Sequence, residues 1–293
     1  MALIAASCGA DRDAASEPSE PGGVRVASFL FAESRLLAEM YAQVIEAAGI
    51  PVERMGPVGP REIIAPALEQ DLIDLVPEYL GTALGYWGAT EHNSDTDSAL
   101  VDLHERLAPR GLTPLAASPA QDKNVFAVTS ERAERGSLVE ISDLSSVADD
   151  LIFGGPPECA DRVLCLAGLE TVYGLSFADF VVQISLAGTV EALHNQEIDV
   201  GLMFSTASEL ETSDLVVLDD DREMQPAENI VPVVRTDAIG RWGPGLADAV
   251  DELSVRLATA ELRRLNVRAA ASGATVEQVA RQWLTDTGII DAE

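Results

Sequence analysis

The chain is poor in basic residues, and this shortage limits the partners that it suits. Its 293 residues include 49 Asp and Glu against 19 Lys and Arg, a formal net charge of -30, and Lys123 is the only lysine. An acidic surface of this size repels nucleic acid and anionic lipid headgroups, and it favours cationic ligands. We therefore expect no nucleic-acid partner, although the charge alone identifies no ligand.

Several familiar motifs of enzymes are also missing. The sequence has no phosphate-binding loop, no GxGxxG after a predicted strand and no GxSxG nucleophile turn. Its three histidines, His92, His104 and His194, are scattered without the spacing of metal ligands. An acidic segment at residues 91–98 resembles the start of a calcium loop, but it lacks the Gly and the closing Glu at the required offsets. We expect a binding protein without metal or cofactor, rather than an enzyme.

Cysteine is scarce as well, and one of the three cysteines stands alone near the N-terminus. Cys8 follows a short apolar run of small residues, as in a bacterial lipoprotein signal, where the Cys becomes the lipidated first residue. The match lacks a basic segment and its apolar run is short, so an unmodified Cys is the alternative. Residues 11–23 are polar and predict a flexible tether. No other stretch is long and apolar enough to span a bilayer.

The other two cysteines, Cys159 and Cys165, lie six residues apart, which is not the spacing of a zinc site. In an exported protein we expect them to form a disulfide, which would close a small loop around Arg162. Two free thiols are the alternative. A closed loop would hold the arginine in place.

Length and the alternation of predicted elements indicate two α/β domains. With 293 residues and 47% hydrophobic content, the chain can bury a large core. Strands predicted at residues 24–28, 50–55 and 73–77 alternate with helices at residues 34–48 and 60–69. This β-α-β-α-β order is typical of a parallel sheet with crossover helices.

The second half of the chain repeats this alternation. We expect a strand at residues 124–129 to leave the first domain and a strand at residues 230–234 to return to it. A buried strand is predicted at residues 151–154 of the second domain. The C-terminal part predicts two amphipathic helices, at about residues 245–265 and 275–287.

One segment, IDLVPEYLGT at residues 73–82, has the features of a strand that ends at a ligand site. Its apolar run ends at Pro77, which has no N–H for a further ladder bond, and a carboxylate, an aromatic, a glycine and a hydroxyl follow. Strands in α/β proteins present such last residues at the sheet edge where ligands bind. Residues 198–206 repeat the pattern, so we expect both strand ends to face a shared cleft. A plain strand exit with Tyr79 in the core is the alternative.

Five segments resemble the extracytoplasmic solute-binding proteins of osmoprotectant ABC importers, the glycine betaine/choline/carnitine-binding family. They are SFLFAE at residues 28–33, IDLVPEYLGT at residues 73–82, Arg162 with the following Gly168-Leu169, EIDVGLMFST at residues 197–206, and the region from Leu218 to Pro232. The PEYLGT portion is the most specific of them. The resemblance extends over nearly all residues from 24 to 290.

This resemblance implies the α/β class and a two-lobe periplasmic-binding-protein-like fold (type II). Each lobe would be a mixed, mainly parallel sheet flanked by helices, and the lobes would close on the ligand about a two-stranded hinge. We expect a signal remnant, lipid anchor and tether at residues 1–23, a first lobe of residues 24–127 plus 229–293, and a second lobe of residues 128–228. The chain would be a monomer, anchored through Cys8 to the outer face of the bacterial cell membrane, with a small solute and ABC permease subunits as its partners.

The resemblance also implies a cage of aromatic rings around a trimethylammonium group. Tyr79 matches a cage tyrosine, and Phe126 and Phe204 stand where the family often has tyrosines. Glu228 stands where another cage tyrosine is common, and it would supply a counter-charge or accept hydrogen bonds. Without the resemblance, Phe126 and Phe204 would be interpreted as core residues of apolar strands.

Polar contacts follow from the same resemblance. Arg162 matches the arginine that binds the ligand carboxylate, a group that suits a planar guanidinium, and Thr82 matches a polar contact. Phe29 replaces a lysine that can help to hold the carboxylate, and Asn229 would add a polar contact. A simple pairing of Arg162 with a neighbouring acid such as Glu158 is the alternative.

The expected function is that of a receptor that binds a quaternary amine, namely glycine betaine, choline or carnitine, in the interlobe cleft. Because only part of the tyrosine cage is kept, a polyol or an aromatic compound is the alternative ligand. The rival from another class is a transferase-type enzyme on the same fold, for which Glu78, Glu228 and hydroxyls are the available groups. A signalling or scaffold domain that has lost transport is a third alternative.

Overall fold

The computed structural model of the protein describes residues 22–90, 93–271 and 273–292. Cys8 and most of the predicted tether lie outside the described residues. Within the described ranges, no helix has the length and apolar content needed to cross a membrane.

The elements alternate as the apolar pattern predicts. The strands of the described residues are β1 (Val24–Ser28), β2 (Val52–Pro57), β3 (Leu75–Tyr79), β4 (Leu112–Pro114), β5 (Asn124–Thr129), β6 (Ile152–Gly155), β7 (Asp179–Val182), β8 (Val200–Phe204), β9 (Leu215–Leu218) and β10 (Ile230–Arg235). The helices of the described residues are α1 (Ala32–Ala47), α2 (Arg61–Glu69), α3 (Leu80–Tyr86), α4 (Thr96–Leu107), α5 (Ser130–Gly136), α6 (Leu166–Gly168), α7 (Leu186–His194), α8 (Glu209–Thr212), α9 (Thr236–Trp242), α10 (Pro244–Ser254), α11 (Thr259–Ala270) and α12 (Val276–Asp286). Short 3-10 and π-helical turns join several of them.

The described strands form two five-stranded sheets with the same arrangement of directions. The first has the order β2-β1-β3-β10-β4 and the second the order β7-β6-β8-β5-β9. In the first sheet, β1 is parallel to β2 and β3, while β10 is antiparallel to β3 and β4. In the second, β6 is parallel to β7 and β8, while β5 is antiparallel to β8 and β9. Each sheet is therefore mixed, with a single strand that runs against the others.

Burial of α1 anchors the core of the first lobe. Its Leu36, Leu37, Met40 and Tyr41 follow helical spacing and are fully buried against β1, α10 and α12. Burying one such side chain contributes roughly 1.5–3 kcal/mol. The Tyr41 hydroxyl keeps a hydrogen bond inside this core, because it lies 3.0 Å from the Ser254 hydroxyl.

The chain crosses between the two sheets twice, once before β5 and once before β10, and the two crossings are hydrogen-bonded to each other. The amide of Ser118 donates to the carbonyl of Ile230 at 2.8 Å, and the amide of Asp122 donates to the carbonyl of Glu228 at 2.9 Å. Since β5 lies in the second sheet, the first crossing precedes residue 124 and therefore comes before the expected boundary at residue 127. The crossings form a short antiparallel ribbon, which is the form expected of a two-stranded hinge.

The sequence predicted that β3 ends at Pro77, and this prediction is wrong. The strand continues to Tyr79, and in the antiparallel register Pro77 faces Pro232 of β10. Because proline has no backbone N–H, the two prolines pair at a position where neither has to donate a hydrogen bond to the other strand. The next residue, Leu80, begins α3 directly, so that Thr82 lies inside the first turn of a helix.

The helix predicted at residues 245–265 is two helices, α10 and α11, because the chain turns between them. Ala258 has an extended backbone, with φ -101° and ψ 157°. The carbonyl of Leu257 then accepts hydrogen bonds from the Ser118 hydroxyl at 2.6 Å and the Ala120 amide at 2.8 Å. The residues between the two helices thus bind the first crossing. Apolar periodicity does not predict this tertiary contact.

Candidate functional site

A cleft of about 360 Å³ opens at the crossings between the two lobes. It is lined by Phe31, Arg61, Tyr79, Thr82, Asp122, Lys123, Asn124, Arg162, Leu164, Phe204, Gln225, Pro226 and Glu228. Five of the residues predicted from the sequence are among them, namely Tyr79, Thr82, Arg162, Phe204 and Glu228.

Aromatic rings from both lobes face this cleft. Tyr79 ends β3, and Phe31 is the residue before α1, with 47% of its surface exposed. Their ring centroids are 5.8 Å apart at an angle of 44°. On the other side, Phe204 ends β8 with 43% of its surface exposed. Three ring faces or edges are therefore available to one small ligand.

The hydroxyl of Tyr79 is engaged behind the cleft and fixes the ring. It donates to Glu33 Oε1 at 2.7 Å, and Asn266 Nδ2 donates to Glu33 Oε2 at 2.6 Å. Burial raises the pKa of Glu33 to about 7, with the nearby charge of Asp122 acting in the same direction. The ring of Tyr79, rather than its hydroxyl, is thus what this residue offers to the cleft.

Glu228 is held at the cleft by the first turn of α3. Its Oε1 accepts from the Thr82 hydroxyl at 2.7 Å, and its Oε2 accepts from the Thr82 amide at 3.1 Å. A Cβ at Gly81 would lie 3.0 Å from both Glu228 Oε1 and the Ala227 carbonyl, so glycine permits this close approach. Burial raises the pKa of Glu228 to about 7, although the bonds from Thr82 act against the shift.

The fully buried Glu78 is neutralised within the first lobe. Arg61 Nη2 lies 2.8 Å from Glu78 Oε2, and Arg61 Nε donates to the same carboxylate at 3.0 Å. The Arg61 guanidinium also lies over the ring of Phe29, 5.1 Å from its centroid. With its charge paired in this way, Glu78 is a structural partner of Arg61.

Asp122 joins the first crossing to the second lobe beside the cleft. Its Oδ1 accepts from the Thr206 hydroxyl at 2.7 Å, and burial raises the pKa of Asp122 above its ordinary value. Two side chains of α11 reach the same loop, since Asn266 Nδ2 donates to the Thr206 carbonyl at 3.0 Å and Arg263 Nη2 to the Ser205 carbonyl at 2.8 Å. The lobes are thus in contact through α11 as well as through the crossings.

Arg162 lies on a small loop at the rim of the cleft. A disulfide joins Cys159 to Cys165 around it, with their Cα atoms 5.3 Å apart. The Leu164 carbonyl accepts hydrogen bonds from Asn124 Nδ2 at 3.1 Å and from Gln225 Nε2 at 3.0 Å, which fixes the loop to the start of β5 and to the segment before β10. The loop is therefore held in place while its arginine remains accessible.

The guanidinium of Arg162 is weakly engaged. It is 66% exposed, and its Nη2 lies 3.6 Å from Glu158 Oε1. An exposed pair at this distance contributes little to stability. The pairing with Glu158 named as an alternative is present, and the same guanidinium lines the cleft.

Three predicted ligand residues do not line the cleft. Phe126 is fully buried in the second lobe, with its ring centroid 5.8 Å from that of Phe153, because alternate residues of a strand face opposite sides and its side faces the core. Phe29 is buried behind Phe31, with centroids 5.7 Å apart. Asn229 is buried at the crossing, and its Nδ2 donates to the Ser118 carbonyl at 2.7 Å. Phe29 and Asn229 are therefore neighbours of lining residues, whereas Phe126 belongs to the core of the second lobe.

Eight residues that line the cleft were not predicted from the sequence, and Phe31 and Asp122 are two of them. Phe31 lies in the SFLFAE segment, between the end of β1 and the start of α1. The same segment contains Phe29, and the sequence does not indicate which of the two phenylalanines lines the cleft. Asp122 belongs to a crossing that carries no local pattern. Among the described residues, no group of histidine, cysteine and acidic side chains is arranged to hold a metal ion.

Comparison with known proteins identifies the family. The family model for the substrate-binding domain of ABC-type glycine betaine transport systems matches residues 22–286. The chain belongs to this family. It is 27% identical over 278 residues to the glycine-betaine-binding protein of Pseudomonas aeruginosa, covering 92% of this chain and 89% of that protein. It is 25% identical over 283 residues to the glycine betaine-binding protein YehZ of Escherichia coli, covering 90% of each.

A solved structure shows the same fold. A crystal structure of a glycine betaine/carnitine/choline ABC transporter protein superposes with a TM-score of 0.84 at 24% identity, covering 92% of this chain and 100% of that chain. The predicted two-lobe type II fold and the predicted family are therefore confirmed. As a member, the chain is the substrate-binding domain of an ABC-type transport system, in a family of extracytoplasmic solute receptors.

Proposed function

We propose that the cleft binds a quaternary amine, namely glycine betaine, choline or carnitine, for delivery to an importer. The carrying observation is that rings from both lobes line the same cleft as the carboxylates of Asp122 and Glu228. A quaternary ammonium has no N–H to donate, so ring faces and nearby negative charge are what recognise it. Relatives named for binding glycine betaine and carnitine support this assignment.

Each residue has a defined role in this proposal. The rings of Phe31, Tyr79 and Phe204 contact the trimethylammonium group, and Glu228 supplies the counter-charge from its place beside Thr82. Arg162 binds the carboxylate of glycine betaine or carnitine, because its guanidinium lines the cleft and has a weak partner of its own. Phe126, Phe29 and Asn229 have supporting roles.

Binding is coupled to closure of the lobes. We place the first lobe at residues 22–121 plus 229–292 and the second at residues 122–228, on either side of the crossings. Phe31 and Tyr79 belong to one lobe and Phe204 to the other, so only a closed state brings all three rings onto one ligand. The ligand would therefore shift the equilibrium toward the closed state.

The chain hands its solute to ABC permease subunits as a monomer anchored outside the cytoplasm. The lipid anchor rests on Cys8, which lies outside the described residues and stays a prediction from the sequence. Intact-mass measurement of the protein from the membrane fraction would test it, and a Cys8 without lipid would exclude the anchor.

Tyr79→Leu tests the ligand assignment, since leucine keeps apolar volume and removes the ring. A desolvated cation–π contact contributes roughly 2 kcal/mol, so we expect choline to bind about 30-fold more weakly in a calorimetric titration. Tyr79→Phe keeps the ring and loses the bond to Glu33, and should retain most of the affinity. Tyr86→Leu is the matched control, because Tyr86 is exposed on α3 and outside the cleft. An unchanged choline affinity in Tyr79→Leu would contradict the assignment. If the protein bound polyols or phenolics and no quaternary amine, the alternative ligand class would be favoured.

A further inference from the structure

A second cavity of about 300 Å³ lies at the edge of the second sheet. We call it the side pocket, and its walls include Pro156, Glu158, Ile184, Leu186, Leu202 and Phe204. Pro156 follows β6, Ile184 follows β7 and Phe204 ends β8. These three strands are parallel, and the carboxyl ends of parallel strands are where α/β sheets bind ligands.

The side pocket adjoins the cleft at Phe204, which lines both cavities. Glu158 of the side pocket is the ion-pair partner of Arg162, which lines the cleft. A head group held against Phe204 in the cleft therefore lies one side chain away from the side pocket.

The walls of the side pocket suit an apolar group. Five of its nine lining residues are apolar, namely Pro156, Ile184, Leu186, Leu202 and Phe204. The other four are Glu158, Gln183, Ser185 and Thr189, so no basic side chain is among its described lining residues. Ser185 caps α7 by accepting the Gly188 amide at 3.1 Å, so this helix end already has an oxygen of its own chain. An anion therefore has little to gain there.

Ile184 provides exposed apolar surface at the wall of this cavity. It is 91% exposed at the pocket wall, the highest value among the large apolar side chains that the structure exposes in its described residues. A ligand tail that covered this side chain would remove its apolar surface from water, which is favourable. The cleft and the side pocket each reach the range of roughly 300–1,000 Å³ that holds drug-sized ligands.

We infer that the side pocket takes the alkyl or acyl tail of a trimethylammonium compound whose head lies in the cleft. The inference rests on the proposed function, and it adds quaternary amines that carry an apolar chain to the ligands of the cleft. Ile184 and Leu186 then determine specificity by their contact with this chain, while Phe31, Tyr79 and Phe204 hold the head.

The test is a calorimetric titration with tetramethylammonium, butyltrimethylammonium and hexyltrimethylammonium. Each buried methylene should tighten binding about fourfold, so we expect the hexyl compound to bind about 15-fold more tightly than the butyl compound. Ile184→Ala should reduce this gain and leave the affinity for tetramethylammonium unchanged. Val182→Ala is the matched control, because Val182 is an exposed apolar residue two positions away that lines neither cavity.

The outcomes separate this inference from the proposed function. If the three compounds bind equally well, the side pocket takes no tail, while the cleft remains a quaternary-amine site. If the gain with chain length persists undiminished in both Ile184→Ala and Leu186→Ala, the tail lies elsewhere and the inference is overturned. If tetramethylammonium, choline and the longer compounds all fail to bind, the proposed function itself is wrong, and the inference falls with it.

Discussion

Because burial raises the pKa of Glu228, we expect ligand binding to depend on pH near neutrality. Burial raises this pKa to about 7 from an ordinary value of 4.5. The carboxyl is then about one-tenth ionised at pH 6 and about nine-tenths ionised at pH 8. Only the ionised form supplies a counter-charge to a quaternary ammonium. If binding requires that form, the affinity for choline rises about tenfold between pH 6 and pH 8, in proportion to the competent fraction.

The direction of the effect can also be measured as the number of protons released when the ligand binds. A bound cation stabilises the carboxylate and lowers the pKa of Glu228, so choline binding at pH 7 should release up to about half a proton. Calorimetric titrations in buffers of different ionisation enthalpy measure this release directly. Glu228→Gln removes the titrating group and should reduce both the proton release and the pH dependence of the affinity.

Neighbouring carboxyls limit how much of the pH dependence Glu228→Gln should remove, and a second variant serves as the control. Glu33, with a pKa of about 7, and Asp122, with a raised pKa, lie beside the same rings, so Glu228→Gln should keep part of the pH dependence. Glu223→Gln is the control, because Glu223 is exposed and lies outside the cleft. An affinity that falls as the pH rises, or a full pH dependence in Glu228→Gln, would refute the reasoning.

Two further predictions test the arginine and the closure. Arg162→Ala should weaken glycine betaine about tenfold and choline hardly at all, since hydrogen bonds to charged groups contribute roughly 1.5–3 kcal/mol and choline has no carboxylate. Arg135→Ala, at an equally exposed arginine of the same lobe, is the control, and equal losses for the two ligands would exclude the role of Arg162. Saturation with the ligand that binds most tightly should reduce the radius of gyration in small-angle scattering, and an unchanged radius would exclude closure.

Most of the secondary structure could be predicted from the sequence, because apolar periodicity is a local property. The alternation from β1 to β3 followed from it, although β3 runs two residues beyond the predicted end at Pro77. The segment at residues 73–82 was found in the same way, since a proline, an aromatic and a glycine after an apolar run are typical of a strand end at a ligand site. The family followed from these segments and is confirmed.

The exits from these elements were harder to predict, because contacts far along the chain decide them. Pro77 stays in its strand because Pro232 is its partner. The break between α10 and α11 exists because the carbonyl of Leu257 accepts from the first crossing. Neither partner is close in sequence, so no window of residues contains the cause.

What the sequence alone determined about this protein is its class, its two lobes, its family and the strand ends that face a shared cleft. Which side chains enter the cleft was decided by the tertiary structure. Phe126 lies in the core of the second lobe while Phe31 lines the cleft, because strand pairing and the start of a helix set the position of each side chain. The pKa of Glu228 likewise rises only when folding buries its carboxyl beside α3 and the crossings. Direction and burial arise from long-range packing, which residue types and spacing do not encode locally.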